Sequence, residues 1–213
     1  MTSSSNSPEI DNPVVNLLCR PWHADSYDGH VILLQPDGTG EITSQAELNL
    51  FLAAHIEWKI INSTSVPESS AQSHSLLSRF KTASAPKVLD ATIEITITKQ
   101  SGPLSLIPII GEHAQAMVGG HLLLASAFKP RVFNIIVERG EFVPPLGFDR
   151  KKPRRPFPLF GLRLVFDESP YPGKGGWQPE RAAMLEDMRQ FEKTAFVAER
   201  LGCDSGSGAC VLM

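Results

Sequence analysis

The last four residues, Cys210-Val211-Leu212-Met213, have the types and the spacing of a prenylation signal. A cysteine four positions from the carboxylate, followed by two aliphatic residues and a terminal Met, is the pattern that farnesyltransferase reads. Residues 204–209, with the sequence DSGSGA, form a flexible spacer that would let the terminus reach an enzyme's active site. We therefore expect a farnesyl lipid on Cys210, with farnesyltransferase and CaaX-processing enzymes as partners.

A single lipid chain holds a protein to a membrane only weakly, so a second membrane signal is expected. Cys203 lies seven residues before Cys210 and is either a palmitoylation site or an ordinary thiol at the end of a helix. Residues 150–155 contain five cations, which either attract an anionic membrane surface or form a solvated basic loop. These cations are Arg150, Lys151, Lys152, Arg154 and Arg155. Together the signals predict a cytoplasmic protein that lies on the cytosolic face of membranes through a lipid anchor.

The rest of the sequence contains no pattern of catalytic, cofactor-binding or metal-ligating residues. The six histidines are scattered, without the i, i+4 pairing or the cysteine partners that a metal site needs. No Gly-x-Ser-x-Gly turn occurs, so a hydrolase nucleophile has no support. Many small GTPases share the same ending, but the Gly-x-x-x-x-Gly-Lys-Ser/Thr loop that they need is also missing. His23, Asp25 and Tyr27 are close in sequence and could make a small polar site, but sequence proximity does not establish geometry.

The charge balance argues against nucleic acid as a partner. With 20 basic and 23 acidic residues among 213, the net charge is -3, so the chain as a whole does not attract polyanions. Residues 1–13 lack the apolar segment of a secretory signal, and no run of about 18 apolar residues could span a membrane. The three cysteines are too widely spaced for a disulfide framework, which fits a reducing compartment.

The elements that must position any site have mainly the patterns of β-strands. Residues 91–99 give the clearest alternation, with isoleucine at 93, 95 and 97 on one face and Thr or Glu on the other. Residues 36–40, PDGTG, have the chemistry of a turn and would join strands at 30–35 and 41–46 into a hairpin. With no helices between the strands, about eight of them predict an antiparallel barrel or sandwich. The further predicted strands are 55–61, 104–110, 121–128, 131–138 and 161–166.

Only the C-terminal part has a helical pattern. Pro179 fits a first helical position, and Met184, Met188 and Phe191 recur at spacings of four and three. Gly202 fits a left-handed cap. A helix is therefore predicted over residues 179–201.

These patterns predict one folded domain with extensions at both ends. Residues 1–13 are expected to be a disordered N-terminus, because Ser, Asn and Pro dominate there. The domain covers residues 14–201 and contains a polar, Ser-rich loop at 63–86. Residues 202–213 are expected to be a flexible tail that ends in the prenylation signal.

Trp22 before the first strand, the hairpin sequence LLQPDGTG at 33–40, about eight antiparallel strands and a closing helix together resemble a lipocalin-type (calycin) barrel. The resemblance implies an interior cavity that takes one small apolar ligand. It makes Trp22, Leu33 and Trp58 candidates to line or plug that cavity. The same three residues would serve equally well as ordinary core residues, because buried aromatic side chains usually contribute to packing.

The sequence thus predicts a farnesylated, membrane-associated binding module that holds a small hydrophobic ligand or a partner protein. One alternative is a barrel-type enzyme, an isomerase or cyclase that acts on a hydrophobic substrate in the cavity. Another is an adaptor with a filled core. Ionisable side chains that point into the barrel would favour the enzyme over the binding module.

Overall fold

Eight strands form a closed barrel in which each strand is antiparallel to its neighbours and the strand order follows the chain. The computed structural model describes residues 12–25, 29–46, 49–65, 85–100, 104–106, 119–145, 158–187 and 190–201. The predicted fold class, an antiparallel barrel of about eight strands, is confirmed. The strands are β1 (Pro21–His23), β2 (His30–Leu34), β3 (Thr39–Ala46), β4 (Asn49–Ser65), β5 (Lys87–Ile97), β6 (Arg131–Phe142), β7 (Phe160–Phe166) and β8 (Ala195–Arg200).

The barrel has two distinct ends, because the connections between antiparallel strands alternate from one end to the other. We call the upper end the one where β2, β4, β6 and β8 begin, and the lower end the one where they finish. The connection between β7 and β8 belongs to the upper end and contains the helix α2 (Pro179–Asp187). The helix α1 (Pro13–Leu18) precedes β1 and lies at the lower end.

The alternation predicted for β5 is present in the structure. Ile93, Ile95 and Ile97 are buried in the main hydrophobic core, whereas Thr96 on the opposite face is partly exposed. Ile95 pairs with Trp58 on β4 and with Arg131 on β6. A strand with this period of two turns one face to the core and the other to the surface, so the inward face of the barrel is set by the isoleucines.

The hairpin between β2 and β3 also forms as predicted. The Gln35 amide donates to the Thr39 carbonyl at 2.9 Å, and Gly38 adopts the left-handed region with φ 85°. The Asp37 carboxylate accepts from the Thr39 hydroxyl at 2.6 Å and from the Thr39 amide at 2.9 Å. These hydrogen bonds stabilise the ionised form and lower the pKa of Asp37.

The lower end is closed by α1 and by the first residues after it. The Asn12 side chain caps the helix by accepting from the Val14 amide at 3.0 Å. Trp22 is fully buried, and its indole N–H donates to the Leu18 carbonyl at 2.9 Å. Arg20 pairs with Glu199, which fastens this segment to β8 where the barrel closes.

The prediction of one long C-terminal helix over residues 179–201 is wrong. The helix ends at Asp187, a 3-10 helix follows at Gln190–Glu192, and β8 occupies Ala195–Arg200. The physical reason is tertiary: an eighth strand between β7 and β1 satisfies two sheet edges that would otherwise remain unpaired. Phe196 and Ala198 join the core from alternate positions of this strand.

The strand predicted at 121–128 is also wrong, because this segment forms two 3-10 helices, Gly120–Leu122 and Ala125–Phe128. They cover the upper end by pairing with the β7–β8 connection, where Leu123 forms a bridge with Trp177. Of the strand predicted at 104–110, only residues 104–106 are described, and they do not form a strand. The Glu41 carboxylate on β3 holds them by accepting from the amides of Ser105 and Leu106 at 2.8 and 2.9 Å.

Several sequence predictions fall outside the described residues. The disorder predicted at 1–13 and the tail at 202–213 lie there almost entirely. Of the predicted loop at 63–86, residues 63–65 belong to β4, and 66–84 are outside. In the described part of the chain, no helix has the length and apolar character needed to cross a membrane.

Candidate active site

Three ionisable side chains meet at the upper end of the barrel. Asp25 follows β1, His30 begins β2, and Lys193 lies two residues before β8. The Asp25 Oδ2 is 2.7 Å from His30 Nδ1, and His30 Nε2 is 2.8 Å from Lys193 Nζ. The three residues are only 7%, 5% and 7% exposed. We call these three residues the polar triad.

The β1–β2 connection builds the first half of the triad. Asp25 accepts from the Gly29 amide at 3.1 Å through Oδ1, which leaves Oδ2 for the His30 ring. Gly29 is required here, because a Cβ atom would lie 2.7 Å from the Gln45 carbonyl oxygen of β3. His30 shares its face of β2 with Ile32 and Leu34, both in the core, so its imidazole belongs to the inward face of the barrel.

The β7–β8 connection builds the second half and also supplies an aromatic wall. Tyr171 is fully buried, and its ring meets the His30 ring edge to face, with centroids 6.1 Å apart. The Tyr171 hydroxyl donates to the Thr43 carbonyl of β3 at 2.7 Å. Arg131 at the start of β6 fixes the segment by donating to the Tyr171 carbonyl at 2.6 Å. Burial raises the pKa of Tyr171 well above its usual value, so its phenol stays protonated and neutral.

A hydroxyl group that has no partner among the described residues lies beside the triad. Ser44 on β3 pairs directly with His30 on β2 and is 1% exposed. Among the described residues, no hydrogen-bond partner exists for the Ser44 Oγ. Directly opposite residues on antiparallel strands have Cβ atoms about 5 Å apart, so this hydroxyl is a neighbour of the imidazole. A buried polar group without a partner is uncommon in folded proteins, and a water molecule or a ligand atom is one way to satisfy it.

The hydrogen bonds fix the roles of the triad atoms. An ionised carboxylate only accepts, so His30 Nδ1 donates to Asp25, and in the ring tautomer that carries this proton the Nε2 lone pair accepts from the Lys193 ammonium. Burial lowers the pKa of Lys193 to about 8, although the negative charge of Asp25 partly opposes the shift. The uncharged amine is therefore accessible near neutral pH. An amine, a base within hydrogen-bond reach and a carboxylate that orients the base form the arrangement of an activated nucleophile.

The predicted cavity residues lie in different places. Trp22 and Trp58 belong to the main core, and the Trp58 indole N–H donates to the Gln35 carbonyl at 2.9 Å. Leu33 is half-buried and lies on the face of β2 opposite to His30. None of the three contacts the triad through a hydrogen bond or ring contact in the described part of the structure. Their role as ligand-cavity residues stays a prediction.

The residues predicted for lipid and membrane contacts lie outside the described residues. This applies to the lipidation candidates Cys203 and Cys210 and to all five basic residues between 150 and 155. Of the polar group predicted around residue 25, Asp25 enters the triad, and Tyr27 is outside the described residues. His23 contacts the Phe160 ring instead, with centroids 6.3 Å apart.

Sequence reasoning found only one residue of the triad. Lys193 falls within the predicted C-terminal helix, in the part that forms no helix, and it lies 163 positions from His30. The available signal was a histidine at the start of a well-predicted strand, in phase with Ile32 and Leu34. An ionisable residue at an apolar position of a two-residue period marks a side chain that needs a buried partner.

A concave surface lies away from the triad, on the outside of the barrel near the β2–β3 hairpin. This groove has a volume of about 360 Å³ and is lined mainly by polar residues. Lys59 and Glu94 form an ion pair across it at 2.8 Å, with 65% of the lysine side chain exposed. Its charged groups are therefore solvated, and the groove lacks the buried reactive groups of the triad. The lining residues are Asp37, Gly38, Thr39, Glu57, Trp58, Lys59, Glu94 and Thr96.

Comparisons with protein families, curated proteins and solved structures find no match for this chain. Within the described residues, no group of three His, Cys, Asp or Glu side chains could hold a metal ion. The features that bear on function are therefore the geometry of the polar triad and the C-terminal sequence.

Proposed function

We propose that this chain is a lipocalin-like barrel that binds a small hydrophobic molecule and acts on it at the polar triad. The observation that carries the proposal is the presence of Asp25, His30 and Lys193 at one end of a barrel whose core is built mainly from apolar residues. A site of this kind, mostly apolar with a few convergent polar groups, suits a small molecule with one polar function.

The triad favours an enzyme over a simple carrier. Burial of ionisable groups is costly unless they are paired, so a carrier that needs only one polar contact gains nothing from three. A carboxylate, an imidazole and an amine in sequence can pass a proton between the ligand and the imidazole. The barrel-type isomerase or cyclase that the sequence leaves open has this requirement. A carrier of hydrophobic molecules remains the second candidate function, supported by the barrel architecture alone.

Ligand binding is tested with 1-anilinonaphthalene-8-sulfonate, whose fluorescence rises in apolar surroundings. We expect saturable binding of one probe molecule per barrel. Lys193→Met should change the affinity at least about threefold, because a probe that reaches the triad would then contact an apolar side chain instead of the amine. Lys59→Met, which removes an exposed lysine instead, is the matched control and should leave the affinity unchanged. Absence of saturable binding by the wild-type protein would refute the proposed function.

We further propose that a farnesyl group on Cys210 tethers the barrel to the cytosolic face of membranes, with residues 150–155 as the second signal. Phe160 of β7 pairs with Phe142 of β6 on one side and with Arg200 of β8 on the other. The segment 143–159 and the chain after Leu201 thus start next to each other at the lower end. This adjacency supports a joint role for the lipid and the basic residues.

The cooperation between the two signals can be measured with vesicles. Wild-type protein from a eukaryotic host should sediment with anionic vesicles at low salt, because lipid insertion and electrostatic attraction add. Cys210→Ser and a variant with all five cations changed to Gln should both stay mostly soluble. Intact mass must first show the farnesyl group and the loss of residues 211–213, and an unmodified full-length mass would refute the tether.

The vesicle experiment also separates the second signals. If the Gln variant binds neutral and anionic vesicles equally well at any salt concentration, the basic segment has no role at the membrane. Palmitoylation of Cys203 then becomes the explanation to test, with Cys203→Ser as the next variant.

A further inference from the structure

We infer that the Lys193 amine forms a Schiff base with the carbonyl group of a small hydrophobic aldehyde or ketone. The inference rests on the proposed function, because it requires that a small molecule reaches the polar triad. It adds the class of substrate and the atom that reacts with it.

The surroundings of Lys193 are those of a reactive amine. Its Nζ lies 2.8 Å from His30 Nε2, within hydrogen-bond reach of a base. Tyr171 and Phe196, whose ring centroids are 6.3 Å apart, give this end of the barrel an aromatic wall. Such apolar walls disfavour the ammonium form and suit a hydrocarbon substituent on the carbonyl carbon. The lowered pKa of Lys193, about 8, agrees with this reading.

The triad can carry the reaction without any further reagent. The Nζ lone pair attacks the carbonyl carbon, the C–N bond forms, and the C=O electron pair moves to the oxygen. The Nζ proton passes to His30 Nε2, and Asp25 stabilises the resulting imidazolium through Nδ1. Return of this proton to the oxygen gives a carbinolamine. A further proton from the amine nitrogen leaves with the hydroxyl group as water, and the C=N bond forms.

The net reaction converts an amine and a carbonyl compound into an imine and water. No electron is transferred to or from the protein, so no oxidant or reductant is needed. The imine carbon then withdraws electrons from the neighbouring carbon, which makes proton removal there easier. This effect is the chemistry that an isomerase or cyclase would use.

The Ser44 hydroxyl is an independent indication of a ligand. It is buried, has no partner among the described residues, and lies across from His30 on the neighbouring strand. A hydroxyl in this place can donate to the carbonyl oxygen as negative charge develops there. A polar ligand atom would thus satisfy a group that the described protein atoms leave unsatisfied.

The experiment traps the imine by reduction. Full-length protein is incubated with decanal and sodium cyanoborohydride at neutral pH, and the modified lysines are identified by intact mass and peptide mapping. Lys193 should be alkylated at least about tenfold faster than Lys59, because the activated amine is less often protonated and has a base beside it. Octanoate, which has no electrophilic carbonyl of this kind, should slow the labelling by competition but add no mass.

Variants separate an activated amine from a merely accessible one. Lys193→Arg keeps a cation and should lose the fast labelling, His30→Gln should slow it, and Lys59→Arg should leave it unchanged. Circular dichroism checks that each variant is folded. If a variant is unfolded, the peptide map of the wild-type protein still shows whether Lys193 is labelled faster than Lys59.

The outcomes also separate this inference from the proposed function. Labelling of Lys193 no faster than that of Lys59, or fast labelling that persists in Lys193→Arg, would overturn the Schiff base. If the naphthalene probe binds but Lys193 is not labelled, the barrel is a binding module without amine chemistry. If the probe does not bind at all, the proposed function fails first.

Discussion

Ile95→Asp is expected to lower the free energy of unfolding by about 4 kcal/mol or more, because it places an unpaired carboxylate in the core. Ile95 is 4% exposed and lies between Trp58 and Arg131 on the two neighbouring strands. Thr96→Asp, one position along, should cost less than about 1 kcal/mol, since this side chain faces outward. Urea denaturation of both variants measures the difference.

Thr96→Asp has a small destabilising effect of its own, which must be measured separately from the effect of burial. Thr96 pairs directly with Glu57 on β4, so an aspartate there would face a like charge. Thr96→Asn removes the charge and keeps the shape, and it serves as the matched control. Equal midpoints for Ile95→Asp and Thr96→Asp would mean that the register of β5 is wrong.

The stability of the wild-type protein relative to Lys193→Met should increase with pH. The pKa of Lys193 is lowered from 10.5 to about 8 in the folded protein, so between these values the unfolded chain holds a proton that the folded chain has released. Stability therefore rises with pH across this window. After allowance for solvent screening, the gain between about pH 7.5 and 9.5 should be about 1 to 2 kcal/mol.

Comparison with the Met variant is necessary because Tyr171 works in the opposite direction. Its pKa is raised well above 10 by burial, so above that pH the unfolded chain releases a proton that the folded chain keeps, and stability falls. This contribution is common to both proteins and cancels in the difference. Urea denaturation at several pH values up to about 9.5 gives the curve, with Lys59→Met as a surface control. Parallel pH curves for the wild-type and Lys193→Met proteins would show that Lys193 is not a buried amine.

The fold was predictable where a local pattern and a local cause coincide. The alternation in β5 and the turn chemistry at Asp37 and Gly38 each depend on a few neighbouring residues, so they could be inferred without tertiary information. β8 could not, because its strand conformation is imposed by pairing with β7 and β1. The predicted helix runs through these residues to position 201, and only the closure of the barrel shows that they form a strand.

The candidate site was less predictable than the fold for the same reason. The contact between His30 and Lys193 forms because β8 pairs with β1 and brings the residues before it close to β2. No sequence motif predicts a contact between residues so far apart in the chain. The sequence places Asp25 close to His23 and Tyr27. Its partner in the triad is His30, which lies on the other side of the β1–β2 connection. The unpartnered hydroxyl of Ser44 becomes visible only when the pairing of β2 with β3 is known.

The direction of β8 has a consequence for how a membrane-held molecule would meet its substrate. This strand of six residues spans about 20 Å, begins two residues after Lys193 and ends at Arg200, so the amine and the start of the tail belong to opposite ends of the barrel. A lipid-bound tail and the basic segment would both anchor the lower end, and the amine would then point towards the cytosol. A carbonyl compound dissolved in water would approach this end of the barrel from the solvent, whereas one stored in the bilayer would first have to desorb.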